Sequence, residues 1–80
     1  MNKDLNRLFE LVDTNHKGQL TVEEIQRAYE LVQMQWVEER YVHQAMDING
    51  LKQHEHVPPD RFGDVLKEMN NLKGFEEEAR

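Results

Sequence analysis

Asp13-Thr14-Asn15-His16-Lys17-Gly18-Gln19-Leu20-Thr21-Val22-Glu23-Glu24 decides how this chain is read. Counted from Asp13, oxygen-bearing side chains stand at positions 1, 3, 9 and 12, a glycine at 6 and an apolar residue at 8. That spacing wraps a backbone around a hard cation. Calcium takes six to eight oxygens, and each residue here has a part to offer it. Asp13 and Asn15 supply one side-chain oxygen each, Gln19 its backbone carbonyl, Thr21 a water-bridged contact and Glu24 both carboxylate oxygens. Gly18 falls where the loop must turn sharply and a Cβ would hinder it.

Amphipathic patterns flank the stretch on both sides. With Gly18, Leu20 and Glu24 in register, it resembles the EF-hand, a helix–loop–helix calcium module. The resemblance reaches to about Lys73, but only the first loop carries specific motif residues. It implies an all-α fold of paired EF-hands: four helices in two helix–loop–helix units, with a short two-stranded bridge between the loops. Lys17 departs from the pattern at position 5, where Asp, Asn or Ser is usual. A lysine has three donors and no acceptor, so it repels a cation instead of ligating it. A side chain directed into water would leave room for a water ligand. Only Asp13 and Glu24 then remain as charged ligands, which predicts weak Ca2+ binding, in the range of about 10⁻⁵ to 10⁻³ M. Magnesium, which keeps its waters and demands octahedral geometry, is the poorer candidate.

Working outward, Leu5, Leu8, Phe9 and Val12 mark one face of a first helix, and Val22, Ile25, Ala28, Tyr29 and Val32 a second. Val42, Ala45 and Met46 belong to a third, and Phe62, Val65, Leu66 and Met69 to a fourth. Ile25-Ala28-Tyr29-Val32 and Phe62-Val65-Leu66-Met69 share one internal spacing, which reads as a repeat of one unit. Hand 1 covers about residues 2–34 and hand 2 about 37–73. Aligned from its outer end, the second loop has Val57 in the place of Leu20. Asp47 to Phe62 is then three residues longer than Asp13 to Ile25, and Arg61 replaces the closing glutamate. No calcium is expected there. Val57 precedes Pro58, which favours extended backbone suited to pairing with Leu20, and Pro59 suits the first turn of a helix. No glycine or proline separates the second and third helices. A linker is expected near Gln33-Met34-Gln35, with a continuous or kinked central helix as the alternative. Gly74 is read as the stop of the fourth helix, and residues 74–80 as an acidic tail or the start of a linker to a further domain.

With 80 residues and a formal charge of -6, the chain is one small acidic domain that repels nucleic-acid phosphate and anionic lipid. There is no apolar run long enough to insert in a membrane, no cysteine and no myristoylation signal, and a cytoplasmic location is expected. Neither serine nor a glycine-rich phosphate loop is present, so no enzyme is expected. His54-Glu55-His56, with His16 and His43, suggests zinc, but no helical i, i+4 histidine pair supports it, and solvated histidines are the preferred reading. Met34 and Trp36 are the candidate contacts for a protein or amphipathic peptide partner. Two functions follow: a weak calcium sensor or modulator working through a protein partner, or a calcium-independent scaffold that presents a groove to a partner helix.

Overall fold

In a computed structural model, residues 3–52 and 56–78 are described, and they form four helices. These are α1 (Lys3–Val12), α2 (Val22–Gln33), α3 (Glu39–Ile48) and α4 (Pro59–Glu78). α1 packs on α2 and α4, and α3 packs on the same two helices, so the four surround one core. Phe9, Ile25, Val42, Met46, Phe62, Val65 and Met69 fill it, all buried. The Phe9 and Phe62 rings meet edge to face, with centroids 5.4 Å apart, which locks α1 onto α4. Among the described residues, no helix is long and apolar enough to cross a membrane.

The loop between α1 and α2 and the loop between α3 and α4 touch through Leu20 and Val57. Each amide donates to the other's carbonyl, at 2.9 and 2.8 Å, in an antiparallel pair with both side chains fully buried. The expected two-stranded bridge is thus a single residue pair, and no strand occurs among the described residues. Two backbone hydrogen bonds suffice because the buried Leu20 and Val57 side chains hold the loops together from below.

Helix ends follow local chemistry. Thr21 caps α2 in a reciprocal box: its hydroxyl accepts from the Glu24 amide at 3.2 Å, while the Glu24 carboxylate accepts from the Thr21 amide at 2.9 Å. α2 and α3 are separate helices. The break falls at Met34, whose backbone is left-handed (φ 58°) and whose amide still donates to Glu30. No glycine marks this turn, which is why the sequence leaves the break unannounced. Val32, expected in the core, is 54% exposed, whereas its counterpart Met69 is fully buried.

Gly50 ends α3. It is left-handed (φ 75°), its amide donates to Asp47, and the Leu51 amide reaches back to Met46 at 2.8 Å. This is a Schellman stop, with Leu51 folded against the core. Gly50 therefore serves the helix end. The expected stop at Gly74 does not occur, and α4 runs through it to Glu78. The supposedly unpartnered end is held by Glu76, which accepts from Arg40 Nη1 and Nη2 at 3.1 and 2.9 Å and from the Tyr41 hydroxyl.

Candidate functional site

The first loop closes on itself around a lysine. Asp13 follows the last residue of α1 and is 5% exposed. Its Oδ2 accepts from the Gly18 amide at 2.9 Å, and its Oδ1 from the Lys17 amide at 3.2 Å. These bonds require the chain to fold back sharply, which Gly18 allows with a φ of 81°. Glu24, in the first turn of α2, points back to the same place. Between them lies the Lys17 ammonium: Nζ donates to Glu24 Oε1 at 2.7 Å and to Asp13 Oδ1 at 3.4 Å. The side chain does not turn into water, the course that would have left room for a water ligand. Two nearby carboxylates attract an ammonium more strongly than either could be left unpaired.

Glu24 has both oxygens engaged. Oε1 serves Lys17 and the Thr21 amide, and Oε2 faces the amide and hydroxyl of Thr14, at 3.4 and 3.3 Å. Burial alone would raise its pKa. The Lys17 bond, the Thr21 amide, the attraction of the ammonium and the Thr14 amide prevail and hold it at about 2. Asp13 follows the same logic. Burial pulls it up, and the Gly18 and Lys17 amides together with the ammonium bring it below its ordinary value. The Glu24 bond raises the pKa of Lys17 against the opposing effect of burial, with help from Asp13, so the ammonium stays charged.

Of the five residues expected to hold a cation, the loop brings together Asp13, Glu24 and, through the capping box, Thr21. Asn15 and Gln19, the latter expected to offer its backbone carbonyl, are exposed. In this arrangement the donor set does not fit calcium. One positive charge already touches both carboxylates that would have to face the ion. Among the described residues, no three His, Asp or Glu side chains come together at metal-binding spacing. His54 and Glu55 lie outside the described residues. In the second loop, Asp47 and Arg61 are both exposed.

Met34 and Trp36, the candidate partner contacts, are 85% and 61% exposed on the segment joining α2 to α3. Leu31 and Val32 precede them, also exposed, so four of the six residues from Leu31 to Trp36 present apolar side chains to water. Leu31 also lines a crevice of ≈ 480 Å³ with Leu11 and Val12, beside Thr14, Glu24 and Arg27. The segment is braced from beneath: buried Gln26 donates through Nε2 to the Val37 carbonyl at 3.0 Å, and Val37 is itself fully buried. Sequence reading missed the crevice and Gln26, because a polar residue on an otherwise exposed-looking helix position gives no signal that its amide spans to a carbonyl eleven residues away. It also missed the clasp of Arg40, Tyr41 and Glu76, whose members lie 35 and 36 residues apart. Its bonds to Glu38 and Glu76 raise the pKa of Arg40, and the Glu76 bond raises that of Tyr41.

Comparison with protein-family models, with curated proteins and with solved structures gives no match to this chain. The functional reading therefore rests on the geometry.

Proposed function

We propose that this chain is a paired EF-hand domain that works as a fixed, calcium-independent binding module for a basic amphipathic helix. The single observation that carries the reading is the apolar run Leu31, Val32, Met34 and Trp36, exposed on a braced joint between helices. A surface of this kind costs solubility and suits a partner that covers it. Gln26 and Val37 anchor the joint, so its side chains are presented with little ordering left to lose on binding. The helix–loop–helix order, the Leu20–Val57 pair and the Gly18-to-Asp13 hydrogen bond support the EF-hand reading.

Charge favours a basic partner. From Glu23 to Glu39 there are five acidic residues and one basic residue, Arg27. An amphipathic helix with apolar side chains at i, i+3, i+4 and i+7 would lay them on this run and keep its lysines over the acidic surround. Leu31 belongs both to the run and to the crevice, which gives one anchoring side chain a recess to enter.

The test is a titration with a Leu/Lys helical peptide of that pattern, alongside a scrambled peptide of the same composition. Trp36 fluorescence and backbone amide shifts are followed with calcium and with chelator. The patterned peptide should blue-shift Trp36, move the amides of residues 31–37 and bind equally well in both solutions, while Trp36→Ala and Leu31→Asp weaken it about tenfold or more. Equal binding of the scrambled peptide would reduce the effect to bulk charge. Binding only with calcium would favour a weak calcium sensor instead.

A further inference from the structure

We propose that Lys17 is the first loop's own cation: its ammonium joins Asp13 to Glu24 where a divalent ion is expected, holding the loop closed and keeping such an ion out. The proposal goes beyond the binding-module reading and stands without it, because it concerns the loop and not the Leu31–Trp36 surface.

The geometry carries it. Asp13 lies at the end of α1 and Glu24 in the first turn of α2, so an ammonium bonded to both ties the two helices at the mouth of the loop. Calcium would make the same connection through the same two carboxylates. The Lys17 side chain is only 29% exposed and reaches inward, although the loop offers it open water on the other side. A tethered ammonium also has an advantage that no free ion has, since covalent linkage fixes it at a high local concentration. To enter, a divalent ion must displace the ammonium from its 2.7 Å bond to Glu24 and then lie close to a like charge. The remaining parts of a calcium loop are present: Gly18 is left-handed and its amide is bonded to Asp13, and Glu24 is oriented by its capping box. The loop is thus a cation loop whose cation is built in.

Lys17→Met tests this, because it keeps most of the apolar stem and removes the charge. In the full chain, calcium chloride should leave the Gly18 amide resonance and the melting temperature unchanged to millimolar concentration, with magnesium chloride as the control. Without calcium, Lys17→Met should melt about 4–8 °C lower. Calcium should then restore its melting temperature and move the Gly18 amide saturably, with an apparent affinity at least about tenfold above that of the parent. Equal calcium affinity in parent and variant would overturn the exclusion of the ion, and an unchanged melting temperature without calcium would overturn the tie between the helices. If Lys17→Met fails to fold, the parent decides by its lysine ammonium NMR signals. A Lys17 ammonium slowed in hydrogen exchange relative to the other lysines supports the tie, and one that exchanges like them overturns it.

Discussion

Glu24→Gln and Glu24→Ala take apart the first loop in two steps. The glutamine keeps an oxygen for the Thr21 amide, now bonded at 2.9 Å, and so preserves the cap of α2. It loses the negative charge that accepts from Lys17 at 2.7 Å. A charge-assisted hydrogen bond contributes about 1.5–3 kcal/mol when well shielded and much less at an open surface. Glu24 has a side chain 14% exposed and its partner's is 29% exposed, which places the loss for Gln at about 1 kcal/mol. Alanine removes the reciprocal cap as well, for a total of about 2 kcal/mol. At about 2.1 cal/mol/K per residue, an 80-residue chain has an unfolding entropy near 0.17 kcal/mol/K, so melting should fall by about 6 °C for Gln and about 12 °C for Ala. The pH dependence identifies the cause. The Glu24 pKa falls from 4.5 to about 2 on folding, so its charge stabilises the fold above the unfolded value and ceases to do so as pH falls through about 2. Urea unfolding followed by circular dichroism should show parent and Glu24→Gln well separated at neutral pH, converging below pH 4.5 and coincident near pH 2. Asp13 shares Lys17 with Glu24, so its titration differs between the two proteins and adds to the acid end of the difference. A gap of the same size at both ends of the range would refute the argument, because it would belong to shape and not to charge.

Three backbone predictions follow from the helix ends. Gly74→Ala should raise stability by about 0.5–1 kcal/mol, since Gly74 is inside α4 and an added Cβ meets nothing within 4 Å; a loss in thermal unfolding would show that the helix does not continue there. Gly50→Ala should cost about 1 kcal/mol through strain alone, because its φ is 75° although the space beside it is open, and denaturant midpoints measure it. Met34→Gly should stabilise by less than about 1 kcal/mol, the relief of a left-handed methionine being partly offset by the freer unfolded chain; destabilisation would mean that the Met34 side chain, 85% exposed here, is held by contacts.

What the sequence disclosed, and what it hid, divides by distance along the chain. Helical faces are periodic, so the four helices and nearly all of the core, from Phe9 to Met69, were legible. The Leu20–Val57 pairing was legible in the shared spacing to Ile25 and Phe62, whereas the capping box of Thr21 and Glu24 was missed because both were read as cation ligands. The break at Met34 falls inside the linker expected at Gln33-Met34-Gln35, although no glycine marks it: a methionine takes a turn that glycine usually takes, in a place where Val37 and Gln26 brace the chain. Gly74 misled in the opposite sense. A helix interior tolerates a glycine at about 1 kcal/mol, and the bonds from Arg40 and Tyr41 to Glu76 hold the helix beyond it from a neighbouring helix. The direction of the Lys17 side chain was the decisive unknown. Composition showed that it could not ligate a cation, and only the fold showed the ammonium acting as the cation.

The two loops then stand in a simple physical relation. In a pair of metal-filled loops, each ion draws the end of one helix toward the start of the next, and removing the ions loosens both connections. Among the described residues, the contacts at both loops are made by the chain's own groups. The first is made by Lys17 between Asp13 and Glu24, and the second begins from a Schellman stop in which Gly50 and Leu51 satisfy the last carbonyls of α3. Leu20 and Val57 join the two loops through two backbone bonds and their buried side chains. On the proposed reading no ion-dependent contact remains to switch, and the angle between α1 and α2 is set when the chain folds. On the same reading the exposed Leu31–Trp36 surface at the far end of α2 is in place before any partner arrives, the property a fixed scaffold requires.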